Sequence, residues 1–227
     1  TGSGHDLDLR TFKLVDQLSG RMLGLRADIT PQVARIDAHL MNRNGVNRLC
    51  YAGSVLHTLP AGLNRTREPL QIGAEIYGHA GVESDLEVQR LMLDALRLAG
   101  VRELQLDIGH VAVFRTLVDK AGLDEDMKAE LFRAVQAKDV PALAQHVRRL
   151  DRKLAAALQA LPELAGGSEV LARARQVLPD YSEIKQALAQ LRVIAASLAD
   201  AGTEICFDLG ELRGLHYHSG VVFAVYA

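Results

Sequence analysis

Apolar and polar positions follow two rhythms along this chain, and the change between them divides it. Up to about residue 110, short alternating runs dominate. Thr11 to Asp16 reads as a strand and Met22 to Arg26 as its partner, with Leu18-Ser19-Gly20-Arg21 turning between them. Thr30 followed by Pro31 predicts a helix start: a hydroxyl N-cap, then proline where a missing N–H costs nothing. Val33, Ile36 and Leu40 then share one face of a helix ending near Asn44-Gly45. Arg48 to His57 and Leu70 to Tyr77 read as two strands, joined by a loop from Thr58 to Thr66 that is long for a hairpin. Ser84-Asp85-Leu86-Glu87 has the form of a capping box, followed at helical spacing by Val88, Leu91, Met92, Ala95, Leu98 and Ala99, with Gly100 closing the helix. Leu104 to Ile108 is a further strand.

From Val111 to Ala201 the period becomes almost wholly helical, with breaks at Gly122, Pro141, Pro162 to Gly167 and Pro179. Strand patterning returns at Glu204 to Leu209 and at Gly220 to Val225. The expected class is α+β: an antiparallel sheet with flanking helices, interrupted by a helical insertion. Residues 1–110 would form the core sheet, 111–201 the insertion, and 202–227 the return to the sheet. The first residues run straight into sheet patterning and the last strand stops at Tyr226-Ala227, so flanking sequence of the same fold is expected beyond both ends.

Composition narrows the partners. Over 227 residues, 48% are hydrophobic and 24% charged, which is ample core material for a globular protein. A formal net charge of −2 argues against a dedicated nucleic-acid surface, because phosphate contacts need clustered Lys and Arg. No apolar run approaches the roughly 18 residues that a membrane span requires, and the start is polar, so neither a membrane nor a signal peptide is expected. Cys50 and Cys206 lie far apart in apolar β-like runs and are expected as two buried thiols in a reducing cytoplasm, not as a disulfide.

Four segments set polar residues among strand-like runs. In Arg65 to Tyr77, Gln71, Gly73 and Glu75 alternate with Leu70, Ile72, Ala74 and Ile76. Period two puts the amide and the acid on one face, with a glycine between them that leaves room for a ligand. An acid and an amide over such a gap suit an ammonium or an imidazole, although an ordinary solvated face would look the same. Asp28, ahead of Thr30-Pro31, serves either as a helix-capping carboxylate or as a ligand group. Gly53-Ser54-Val55-Leu56-His57 carries a histidine at its end. Arg213 beside Gly214 could grip a carboxylate or phosphate with two N–H groups. His216, His218 and Cys206 lack a second pair at ligand spacing, so no metal is expected and no cofactor motif occurs.

Gly53 to Gly78 resembles motif 2 of the class II aminoacyl-tRNA synthetases in its histidyl form. Leu25 to Thr30 is similar to the histidyl L-R-P-E-G-T segment, and Arg213-Gly214-Leu215-His216-Tyr217 to the R-G-L-D-Y histidine signature. The helical stretch sits where that family carries its insertion. The resemblance implies histidine-facing roles for Asp28, Gln71, Glu75, Arg213 and Tyr217. The ATP-facing positions depart from the pattern: where motif 2 has an Arg and then a Glu, this chain has His57 and Leu59, while Arg67 matches the second arginine of the loop. Leucine cannot accept a hydrogen bond and a histidine is a poor phosphate clamp, so amino-acid activation should be lost.

A site that keeps its amino-acid face and loses its ATP face resembles the regulatory subunits of ATP phosphoribosyltransferase. Asp16 to Arg21, Arg26 to Gln32 and Gly73 to Gly78 are similar to that family's wording. The resemblance implies a cytoplasmic, non-catalytic subunit that dimerises, pairs with a short-form catalytic subunit in the first step of histidine biosynthesis, and takes L-histidine as effector. Two other functions remain open on sequence: a divergent synthetase fragment or amino-acid:AMP ligase, which would exchange pyrophosphate without a partner, and a free-standing histidine-binding module, whose affinity no partner would alter.

Overall fold

The computed structural model describes residues 5–60, 62, 66–212 and 218–227. The chain divides into two compact units, Thr1–Ser84 and Asp85–Ala227.

In the first unit, α1 (His5–Arg10) leads into a hairpin of β1 (Lys13–Val15) and β2 (Met22–Gly24). α2 (Thr30–Ile36) continues as a π-helical turn over Asp37–Met41 and stops at Asn42, whose φ is +45°. β3 (Asn47–Ser54) and β4 (Leu70–Tyr77) then pair antiparallel over eight residues, with Gly53 opposite Gln71, Tyr51 opposite Gly73, and Leu49 opposite Glu75. Strict alternation on β3 turns Leu49, Tyr51 and Gly53 inward while Arg48, Cys50 and Ala52 face out. The core of this unit is small: Ile29, Val33 and Val55 are buried, with Leu49, Tyr51 and Tyr77 packed against them.

Three expectations need correction here. The N-cap of α2 is Ile29, and Thr30 is already helical. Val33 is buried, but Ile36 and Leu40 are exposed: Ile36 is the last residue of α2, and Leu40 falls in the π-helical turn, where the 3.6-residue repeat no longer holds. Cys50 is exposed on the outer face of β3, and Cys206 is half-buried; both are free thiols.

α3 (Val82–Leu98) starts at the end of the first unit, two residues before the expected cap, and runs on into the second. The Ser84 hydroxyl pairs with the His79 ring at 2.8 Å instead of capping a helix. β5 (Gln105–His110) runs directly into α4 (Val111–Lys120), followed by α5 (Glu125–Gln136), α6 (Val140–His146), α7 (Arg152–Ala160), the two-residue β6 (Ala165–Gly166), α8 (Glu169–Val177) and α9 (Ser182–Leu198). The Asp124, Asp139 and Asp151 side chains each accept a backbone N–H from the first turn of α5, α6 and α7, so aspartate sets these three starts. Pro141 lies in the first turn of α6, where it tightens the start and breaks nothing. β7 (Glu204–Asp208) and β8 (Val221–Tyr226) complete a sheet of order β6-β7-β5-β8. Its pairs are antiparallel except β5 with β7, which run parallel. Leu106, Ile108 and Phe207 from the sheet and Phe114, Leu117, Leu158 and Leu191 from the helices are among the fully buried residues of this unit.

His110 ties β5 to the helices. It is buried, its Nδ1 accepts the Ala112 N–H at 3.2 Å, and its Nε2 pairs with the Gln190 side-chain oxygen at 2.8 Å. That arrangement needs a neutral ring with its proton on Nε2. Burial holds the imidazole below its ordinary value of 6.5, against the opposing pull of the Gln190 bond. The folded state therefore binds a proton less readily than the unfolded one. The stability this gives is complete above pH 6.5 and is lost as pH falls below it towards the folded value. Urea midpoints measured from pH 7.5 down to 5 should drop more steeply for the native protein than for His110→Asn.

Candidate functional site

The segment after β2 has no ladder of its own, so its backbone groups must find partners elsewhere. Five hydrogen bonds tie it to β3, β4 and their extensions. Leu56 N–H donates to the Arg26 carbonyl at 3.0 Å, and the Arg26 Nε–H to the Ser54 carbonyl at 2.8 Å. The His57 Nε2 meets the Ala27 carbonyl at 2.9 Å. Gln71 clasps the next residues from both sides, donating Nε2–H to Asp28 Oδ1 at 2.8 Å and accepting the Ile29 N–H on Oε1 at 2.9 Å. Asp28 Oδ1 also accepts the Thr30 N–H at 3.0 Å. Asp28 is thus both the local turn-former and a carboxylate held out by Gln71, and the two readings of it coincide.

Gln71, Gly73 and Glu75 share the inward face of β4, as period two requires, and all three are half-buried. The gap at Gly73 is not empty. The Tyr51 ring from the paired strand lies over it: a Cβ at residue 73 would stand 2.2 Å from Tyr51 Cζ. The expectation of free space above that glycine is therefore corrected. A single strand's periodicity shows which residues share a face, but not what the neighbouring strand places there. The Tyr51 hydroxyl pairs with Thr30 Oγ1 at 2.8 Å. Desolvation pushes this phenol up, the Thr30 bond opposes, and the charges of Glu75 and Asp28 push it further up. Tyr77 donates its O–H to Glu75 Oε2 at 2.5 Å, and burial together with that bond drives its phenol well above the ordinary value. Both tyrosines stay protonated at neutral pH.

One oxygen of each carboxylate is committed in this way. Among the described residues, Asp28 Oδ2 and Glu75 Oε1 accept no hydrogen bond, and neither acid forms an ion pair. Two half-buried acids on one polar face, bordered by hydroxyls, favour a cationic ligand rich in N–H donors.

The positions expected to face ATP are arranged differently. The His57 backbone exchanges bonds with Arg67: its N–H donates to the Arg67 carbonyl at 2.8 Å, and its carbonyl accepts the Arg67 Nε–H at 3.1 Å. The Arg67 guanidinium lies 4.8 Å from the centre of the Phe12 ring. Leu59 is exposed. Arg213, His216 and Tyr217 lie outside the described residues. Among the described residues no group of three or more His, Cys, Asp or Glu is placed to hold a metal ion, and no helix is long and apolar enough to cross a membrane. Sequence reasoning missed Tyr51, Tyr77 and the tie from His57. A tyrosine facing a glycine across an antiparallel pair was the one available signal for the first.

The family model for histidyl-tRNA synthetase matches residues 1–227. A relative from Nitrosospira multiformis, named ATP phosphoribosyltransferase regulatory subunit, is 58% identical; the match takes in all of this chain and 58% of that protein. The chain thus spans less than two thirds of the length of its curated relative. A solved structure from Bacillus halodurans, described as an ATP phosphoribosyltransferase regulatory subunit/histidyl-tRNA synthetase, superposes with a TM-score of 0.84 at 32% identity, over 97% of this chain and 58% of that one. The ATP phosphoribosyl transferase (HisG:HisZ) complex from Thermotoga maritima contains a chain of the same fold, with a TM-score of 0.71 at 15% identity over 95% of this chain and 75% of its own length.

Proposed function

The chain belongs to the histidyl-tRNA synthetase family, and we propose that within it this chain is part of a regulatory subunit of ATP phosphoribosyltransferase, not a catalyst. In this reading it is a cytoplasmic protein that dimerises and pairs with the short-form catalytic subunit in the first step of histidine biosynthesis. It also takes part in feedback control by L-histidine. The helical stretch 111–201 is the insertion of that scaffold, set between the core sheet of 1–110 and its return at 202–227.

One observation carries the proposal: Asp28 Oδ2 and Glu75 Oε1 stand without partners among the described residues, while His57 and Arg67 are turned to internal bonds. L-histidine brings an ammonium and an imidazole N–H, the groups two such oxygens would accept. Asp28 and Glu75 meet them, and Gln71 keeps Asp28 in place; the family resemblance implies histidine-facing roles for Arg213 and Tyr217 as well, which lie outside the described residues. Activation of an amino acid needs positive charge at the transferring phosphoryl group; at the two motif positions this chain has His57, whose ring is turned to the Ala27 carbonyl, and the apolar Leu59. Feedback further requires that histidine favour one assembly state, since equal affinity for both shifts nothing.

Calorimetric titration of L-histidine into the full-length protein, alone and with the catalytic subunit, tests this. Glu75→Gln should weaken binding about 10- to 100-fold, the scale of a lost charge-assisted hydrogen bond, and the partner should change the native affinity. Binding to the complex that survives Glu75→Gln would place the effector elsewhere.

A further inference from the structure

We infer that His57 is a positioning residue that holds the Asp28 carboxylate in register with Gln71. The inference rests on the proposed histidine pocket, and its geometry is independent of the ligand. Asp28 lies between Ala27 and Ile29, both buried, on a segment without a ladder. On the far side of Asp28, Ile29 is fixed by its N–H bond to Gln71. On the near side the Ala27 carbonyl is buried with its residue and accepts no backbone N–H among the described residues; the His57 ring reaches it at 2.9 Å. A carbonyl acceptor requires Nε2 to carry the proton, which is true of the Nε2–H tautomer and of the imidazolium alike, so protonation does not open this tie. The ring itself cannot drift. Its backbone is clamped on both sides by Arg67, and the preceding Leu56 N–H is bound to the Arg26 carbonyl. Without the imidazole, the Ala27 carbonyl is left unpaired in a buried place, and the segment must move to find water. Asp28, one residue on, moves with it and loses the distance at which Gln71 binds it. The residue at the position expected to face ATP thus works on the amino-acid side of the pocket.

The chemistry chooses the variants. Glutamine carries an N–H donor the same number of bonds from Cβ as the imidazole Nε2, asparagine falls one bond short, and leucine fills the space without donating. In the full-length protein, hydrogen exchange at the Ile29 and Thr30 amides should quicken about tenfold in His57→Leu and His57→Asn, the scale of one lost buried hydrogen bond, and stay near native in His57→Gln. L-histidine affinity should follow the same order, and His57→Leu should add no further loss to Asp28→Asn. Native exchange rates in His57→Leu, equal quickening in His57→Gln, or losses that add to Asp28→Asn would each overturn the assignment. If exchange responds in this order but no variant, nor the native protein, binds L-histidine, the positioning role stands and the histidine reading falls.

Discussion

Replacing Phe207 by alanine is expected to remove about 3–5 kcal/mol from the stability of the unit spanning residues 85–227, the cost of deleting a buried aromatic side chain and leaving its cavity. Phe207 is 1% exposed and sits on β7 between two partners, opposite Ile108 on β5 and Gly166 on β6. Ile108 and Leu209 beside it are themselves fully buried, so the surroundings cannot collapse into the space without pulling the sheet apart. A domain of this size is stable by about 5–15 kcal/mol in all, so one such loss removes a large fraction of it. Guanidinium midpoints should fall strongly for Phe207→Ala and only slightly for Leu98→Ala, whose side chain is 90% exposed on α3. Equal midpoints for the two variants would show that the sheet does not carry the core of this unit.

Gly78→Ala should be nearly as damaging to the other unit, by about 2–4 kcal/mol from left-handed strain and backbone overlap together. Gly78 follows β4 with φ +80°, and a Cβ there would stand 2.2 Å from the Gly45 carbonyl oxygen, just before β3 begins. Backbone cannot swing aside as a side-chain tip can, so one end of the eight-residue ladder must part. Gly100→Ala is the control: φ there is +84°, but nothing lies within 4 Å of the added carbon, leaving the strain of about 1–2 kcal/mol alone. Thermal melts of the two variants should therefore separate. The margin in the first unit is thin, because its core cluster of buried residues is Ile29, Val33 and Val55.

What could be read in advance depended on how local its cause was. β4 ran over Leu70–Tyr77 as its alternation predicts, and the inward set of Gln71, Gly73 and Glu75 followed from the same period. The helices between Val111 and Ala201 followed their apolar spacing. Ends decided by tertiary partners were missed. β3 stops at Ser54, three residues early: Val55 still donates to the Pro69 carbonyl and His57 to the Arg67 carbonyl, but proline has no N–H to return. The Ser84 hydroxyl had a competing partner in His79, and Leu40 fell in a π-helical turn that no propensity scale marks. In the site, the two acids were legible as charges on a face. The Tyr51 ring over Gly73 and the clasp of Gln71 on Asp28 join residues 22 and 43 apart, and the spacing along one strand carries no trace of them.

The parallel pairing of β5 with β7 bears on how the second unit reaches its fold. Gln105 lies beside Glu204, so the intervening helices leave and return to the sheet one strand apart. Closing a loop of that length costs chain entropy that grows only slowly with its length, but it must be met before the pairing returns anything. The β3–β4 ladder closes a far shorter loop, from Ser54 to Leu70. Its strands are expected to meet before β5 and β7 do, since those two must wait for α4 to α9 to bring their ends together. The same closeness means that the helical stretch can change in length or sequence without altering where its two ends must stand, so this is the part of the chain free to diverge while the sheet keeps its shape.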